Sequence, residues 1–186
     1  IVMYMGDSGH DWLGAGLASG DLDGDGASDL IVGANADDEG ASNAGTVYVL
    51  LDVGADADAA AAHTVSEVAD ITFTGVSASD YAGTEMDSGV DVDGDGLDDL
   101  VVGVRKASPK GDERGSVYVS NGLSTGVMSL EDAEATIYGS AEGDYAGAAV
   151  ALTDDMNGDG YGDLLVGATH TDGKGTDIGT VYVVLG

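Results

Sequence analysis

Three nine-residue stretches of this chain gather hard oxygen donors at a fixed spacing: DLDGDGASD from Asp21, DVDGDGLDD from Asp91 and DMNGDGYGD from Asp155. A calcium ion takes six to eight oxygens at roughly 2.3–2.6 Å. A turn with side-chain oxygens at positions 1, 3 and 5, a main-chain carbonyl at position 7 and one further carboxylate wraps such an ion. The first stretch supplies Asp21, Asp23, Asp25 and Asp29 with the carbonyl of Ala27, and the second Asp91, Asp93, Asp95 and Asp99 with that of Leu97. The third supplies Asp155, Asn157, Asp159 and Asp163 with the carbonyl of Tyr161. Gly26, Gly96 and Gly160 stand at position 6, where the sharp turn needs a residue without a β-carbon. The expected chemistry is therefore the binding of about three calcium ions. The chain has no cysteine to offer a thiolate site. An all-protein, carboxylate-rich cage also suits calcium better than magnesium. Position 12, where an EF-hand loop carries a bidentate glutamate, holds Val32, Val102 or Val166, so each loop should bridge two strands and close on the carboxylate at position 9. Solvated Asp-Gly turns are the plain alternative, but they would not fill all four side-chain positions three times over.

Catalysis finds no comparable constellation. Gly6-Asp7-Ser8-Gly9, followed by His10 and Asp11, matches the string around a trypsin-like serine. The same place holds GVSA from Gly75 and GSAE from Gly139, and a triad draws its partners from distant segments rather than from one turn. His63 and His170 lie outside the repeated motifs, and the chain has neither a GxSxG elbow nor an HExxH helix, so it reads as a non-enzyme. Trp12, Tyr81 and Tyr145 recur at one place per unit and are expected to pack unit against unit rather than to form an exposed aromatic set.

The elements that position the loops repeat with them. Asp91 follows Asp21 by 70 residues and Asp155 follows Asp91 by 64, giving a unit of about 65 residues. GDSGHDWLG (6–14), GVSASDYAG (75–83) and GSAEGDYAG (139–147) precede the loops, and AGTVYVL, RGSVYVS and IGTVYVV follow from Ala44, Arg114 and Ile178. Apolar and β-branched runs of four to seven residues between Gly, Asp, Asn and Ser clusters read as four strands per unit: one before the loop, DLLVGA after it, TVYVV, and a fourth such as 135–138. The expected fold is all-β, with three tandem four-stranded antiparallel β-propeller blades belonging to a larger propeller or assembly. A β-sandwich would not require the same acidic loop in each copy. The expected divisions are 12–75, 81–139 and 145–186, the last without its own fourth strand. Residues 1–7 supply a fourth strand, either to a preceding blade or to the last one in Velcro fashion.

Charge narrows the partners. Thirty-five acidic residues face five basic ones, for a formal charge of −30, which repels nucleic acid and anionic lipid. Three divalent ions would add six positive charges and still leave −24. Such self-repulsion is tolerated where about 1 M salt shortens the Debye length to about 3 Å, so a halophilic source is expected. The apolar runs are far shorter than the roughly 20 residues that span a bilayer, and no membrane insertion is expected. Ile1 follows no charged and apolar leader, so the chain reads as a mature or excised segment.

These units resemble the FG-GAP repeat of integrin α-chain β-propellers and of prokaryotic surface proteins. The resemblance rests on the calcium loop, DL-(I/V/L)-VGA after it and G-(T/S)-VYV beyond. Leu13-Gly14, Ala82-Gly83 and Ala146-Gly147 stand at the FG element, and Gly33-Ala34-Asn35, Gly103-Val104-Arg105 and Gly167-Ala168-Thr169 at the GAP element. The resemblance implies calcium in the hairpin between the first two strands of a blade, partners on the opposite face, and an extracellular or cell-surface module that binds a protein or glycan ligand. Two alternatives are the accessory propeller of a secreted hydrolase and a subunit of an extracellular filament or surface layer that self-assembles through an unpaired N-terminal strand.

Overall fold

The computed structural model describes residues 2–51, 53, 62–108, 112–121, 125–172 and 175–186; Ile1, read above as part of the first strand, lies outside them. The first unit contains β2 (Leu13–Gly20), β3 (Asp29–Ala34), β4 (Thr46–Leu50) and β6 (Ile71–Thr74). The second contains β7 (Glu85–Ser88), β8 (Leu100–Val104), β9 (Ser116–Ser120) and β11 (Ala135–Tyr138). The third contains β12 (Ala146–Thr153), β13 (Asp163–Ala168) and β14 (Thr180–Val184). Each unit is an antiparallel meander in sequence order. Together with β1 (Met3–Met5), the fourth-strand segment ahead of the first unit, these make the twelve strands expected from the repeats.

Two strands were not expected. β5 (Ala62–Thr64) and β10 (Gly126–Ser129) lie in the connections between the third and fourth strands of the first two units, and each runs straight into a helical turn, α1 (Val65–Val68) or the 3-10 turn Leu130–Asp132. Ser129 caps the second turn by accepting the N–H of Glu131 through its side chain. Val65 and Leu130, the first residues of the two turns, are buried and pin them to the sheets. β10 pairs in parallel with β6, the outer strand of the preceding unit, and extends that sheet to five strands. β5 pairs in parallel with β1 in the same manner. The N-terminal strand therefore sits beside β5. It does not close the last sheet, and β14 has no outer neighbour among the described strands.

The faces of the sheets explain the near-continuous apolar runs. A strand buried on both faces has no polar side to alternate with. Ile31, Val47, Val49, Ile71 and Phe73 point from the first sheet into a core shared with Leu100, Val102, Val104 and Tyr118 of the second. Their sequence neighbours Val32, Ala34, Tyr48 and Leu50 point the other way and are covered by Val65, with Tyr4 of β1 packed against them. A second core joins Val101 and Val117 to Leu152, Leu164 and Val166 of the third unit. Where adjacent units meet at the glycine corners the contact is backbone against backbone. A β-carbon on Gly33 would stand 1.8 Å from the carbonyl oxygen of Gly83, and one on Gly103 2.5 Å from that of Gly147. Among the described residues one ion pair forms, Arg114 with Asp112, so the acidic surface is largely uncompensated.

Candidate metal centres

Each acidic stretch lies between the first and second strands of its sheet: 21–28 between β2 and β3, 89–99 between β7 and β8, and 154–162 between β12 and β13. The same hydrogen bonds fold all three. The position-1 carboxylate receives two glycine N–H groups: Asp21 from Gly24 at 2.8 Å and Gly26 at 2.9 Å, Asp91 from Gly94 at 2.6 Å and Gly96 at 2.9 Å, and Asp155 from Gly158 at 2.5 Å and Gly160 at 2.8 Å. The position-3 side chain receives the position-5 N–H, at 3.0 Å for Asp23 and Asp93 and 2.8 Å for Asn157. Asp25, Asp95 and Asp159 receive the N–H groups of Ala27, Leu97 and Tyr161 at 2.7, 2.8 and 3.0 Å. Asp29, Asp99 and Asp163 reach back to the N–H groups of Leu22, Val92 and Met156 at 2.8, 2.6 and 2.7 Å. Gly24 and Gly26 have φ of 78° and 89°, and their counterparts in the other loops match, so the glycine at position 4, which the calcium pattern alone passes over, is as necessary to the turn as that at position 6.

The loops bring their carboxylates together. Oxygens of Asp21, Asp23 and Asp29 lie within 4.8 Å of one another, as do those of Asp91, Asp93 and Asp95. Asp25 in the first loop and Asp99 in the second stand outside these trios, and the third loop, with Asn157 in place of an acid, forms no trio of this kind among the described residues. Ala27, Leu97 and Tyr161 follow the position-6 glycines as expected, with the Leu97 and Tyr161 side chains turned onto Gly24 and Gly94 of the preceding loops. The position-9 aspartates are the buried members of each set.

Asp99 tests whether a cation suits the site. It is fully buried, one carboxylate oxygen takes the Val92 N–H, and the other, Oδ1, has no hydrogen-bond partner. Burial pushes this carboxyl up to about 6 against the pull of the Val92 N–H, and the charges of Asp93, Asp91 and Asp95 push it the same way. A buried anion with an orphan oxygen, beside three more anions, is an arrangement that a hard divalent cation relieves. In the third loop the Gly160 N–H, helped by those of Gly158 and Asp159, holds the Asp155 carboxyl below the usual range.

At the other end of the first strands, Trp12, Tyr81 and Tyr145 form the corners, all three with positive φ (57°, 56° and 53°). The packing expected of them fails at Trp12, while Tyr81 and Tyr145 are half-buried and the Tyr145 hydroxyl donates to Glu113 of the preceding unit at 2.9 Å. Trp12 is 61% exposed, Tyr81 carries the Lys106 ammonium 4.9 Å above its ring, and Tyr145 meets His170 edge-on with centroids 4.7 Å apart. Trp12, Tyr81, Arg105 and Lys106 line a cleft of about 270 Å³. Ser8 donates its N–H to the Asp11 carboxylate, and the same turn recurs from Ser77 to Asp80 and from Ala141 to Asp144. GDSG is thus one copy of a structural turn. Asp11, Asp80 and Asp144 are all buried, and burial raises Asp80 to about 6 against the Ser77 N–H. The signal for these three was in the sequence, an aspartate immediately before the corner aromatic and three residues before the corner glycine in every copy.

Meanders stacked face to face, each with an acidic loop between its first two strands and a glycine corner against its neighbour, define a run of β-propeller blades. The profile of the FG-GAP repeat matches over residues 13–50, 82–120 and 146–184, and the chain belongs to the FG-GAP repeat family. It is 32% identical to Integrin alpha-PS2 of Drosophila melanogaster over 171 residues, covering 87% of this chain and 12% of that protein. It is 29% identical to Integrin alpha-5 of Xenopus laevis over 181 residues, 92% of this chain and 16% of the relative. Integrin alpha-4 of the same species is 30% identical over 166 residues, 87% of this chain and 15% of the relative. The chain thus spans less than a fifth of the length of each of these relatives.

Proposed function

We propose that the chain is a calcium-rigidified segment of an extracellular or cell-surface β-propeller, whose work is to present a binding surface to a protein ligand and not to catalyse a reaction. The observation that carries the calcium reading is Asp99, a fully buried carboxylate with an unpartnered oxygen among Asp91, Asp93 and Asp95. The ligand set of each loop is then the side-chain oxygens of positions 1, 3, 5 and 9 with the position-7 carbonyl: Asp21, Asp23, Asp25, Ala27 and Asp29; Asp91, Asp93, Asp95, Leu97 and Asp99; Asp155, Asn157, Asp159, Tyr161 and Asp163. When bound, the ion supplies charge neutralisation and cross-links the two strands that each loop joins.

The reading of an adhesion or ligand-binding module is supported by the integrin α relatives, and the cleft of Trp12, Tyr81, Arg105 and Lys106 at the end away from the loops offers aromatic and basic groups to such a partner. No helix among the described residues is long and apolar enough to cross a membrane. We take residues 12–75, 81–139 and 145–186 as blades and 1–7 as the outer strand of a preceding one, because β1 pairs with β5 as β6 pairs with β10. Calcium titration of the full chain by calorimetry tests the central part. About three ions should bind to the wild type and about two to Asp99→Asn. Stoichiometric zinc binding with no calcium uptake would overturn the reading.

A further inference from the structure

Each acidic loop touches the next, and the contacts follow one rule. The position-8 residue of a later loop donates its N–H to the carbonyl of the position-1 aspartate in the loop before it: Asp98 to Asp21 at 3.0 Å and Gly162 to Asp91 at 3.0 Å. At the first junction the bond is reciprocated, since the Asp21 N–H donates to the Asp98 carboxylate at 2.7 Å, across 77 residues of sequence. The position-7 side chain of the later loop also covers the position-4 glycine of the earlier one. Leu97 Cδ2 lies 2.7 Å from where a β-carbon on Gly24 would stand, and the Tyr161 ring 2.5 Å from one on Gly94. Position 1 is the residue that gathers two glycine N–H groups and offers its carboxylate to the trio, so its placement sets the geometry of its loop. Positions 7 and 9, which flank the bracing residue, are donors to the ion of their own loop.

We infer that calcium binding is coupled along the row of loops, and that Asp98, which is not itself a ligand, is the positioning residue that ties the first site to the second. The inference rests on the calcium reading above. Fixing positions 7 to 9 of the second loop around an ion fixes Asp98. Asp98 then holds Asp21 in place by two hydrogen bonds, so the first loop is organised before its own ion arrives. The coupling is thermodynamic and hence reciprocal, with the first ion favouring the second by the same factor. The two junctions differ in one respect: Gly162 has no side chain to return the bond, so the second junction rests on the backbone and on Tyr161.

The experiment is a calcium titration of the full chain followed at the amide resonances of Gly26, Gly96 and Gly160, one reporter in each loop. In the wild type Gly26 and Gly96 should respond together, more steeply than independent sites allow. Asp98→Ala should raise the calcium midpoint at Gly26 about tenfold while Gly160 stays within about twofold. Asp98→Asn, which keeps an acceptor for the Asp21 N–H, should return the Gly26 midpoint to within about threefold of wild type. Ser28→Ala, the position-8 change in the first loop, should move none of the three. Asp95→Ala removes a ligand from the second loop, where the Asp95 carboxylate accepts the N–H of Leu97, and should also raise the Gly26 midpoint several-fold. That arm decides the matter alone if Asp98→Ala fails to fold. A Gly26 midpoint unmoved by Asp98→Ala and Asp95→Ala would overturn the coupling and leave the calcium reading standing. Wild-type amides indifferent to calcium would overturn both.

Discussion

TVYVL in the first unit and TVYVV in the third differ at one residue and occupy different environments. Val47 is fully buried and Tyr48 nearly so, whereas Val181 is 70% exposed and Tyr182 38%. The glycine corners differ in the same way. Gly33 and Gly103 lie against the backbone of the following unit, while a β-carbon on Gly167 would meet nothing closer than Ala149 Cβ of its own sheet, at 3.4 Å. The strands are the same and the successor is not, because no further sheet lies over β13 and β14 among the described residues. Burial in this fold is therefore a property of the junction between units rather than of a unit, as in other tandem-repeat proteins whose stability is a sum of unit and nearest-neighbour terms.

The sharpest way to break that comparison is at the corners. Gly33→Ala pushes a methyl group into the Gly83 carbonyl, a backbone atom that cannot swing aside, and should cost about 3 kcal/mol or more; Gly167→Ala should change stability by about 0.5 kcal/mol or less. Chemical denaturation of the two variants checks this. Equal effects would mean that the junction does not carry the stability assigned to it.

A smaller effect separates buried from exposed acids by pH. Asp80 is buried at the junction corner, and its carboxyl stands near 6 in the folded chain against 3.8 for the ordinary group. A carboxyl raised on folding leaves the folded state the better proton binder between these values. Its ionisation therefore costs stability as pH rises through about 6, and that cost is absent below about 3.8. Asp80→Asn, which removes the charge and keeps an acceptor for Ser77, should stabilise the chain more at pH 7.5 than at pH 4.5, by on the order of 1–2 kcal/mol. The melting-temperature difference between variant and wild type at the two pH values measures it. A difference independent of pH would refute the assignment.

The parts of this molecule legible in the sequence are those specified within one unit. The place of the nine-residue loops was readable because the acids and glycines that hydrogen-bond each turn lie within it, and the strands DLIVGA, TVYVL and ITFT because their apolar residues are contiguous. β5 and β10 were not readable. Each is three or four residues long with no period to detect, and its partner is a strand of the preceding unit, 55 or more positions away in both pairings. The braces between loops escaped for the same reason, since nothing local to Asp98 announces Asp21. The corner aromatics misled because they were weighed as apolar surface. All three share a left-handed backbone, unusual for residues with a β-carbon, yet Trp12 faces solvent while the Tyr145 hydroxyl reaches Glu113 of the preceding unit.

The central claim is that the acidic loops are cross-links closed by calcium, and thermal unfolding of the wild-type chain in calcium and in chelator tests it most directly. An ion that binds the folded state alone contributes about 2.7 kcal/mol per site at a hundredfold excess over Kd, and a chain of this size gains roughly 2–4 °C in Tm per kcal/mol. Three sites therefore predict a Tm lower by more than about 10 °C in chelator. Coincident unfolding curves with and without calcium would contradict the account.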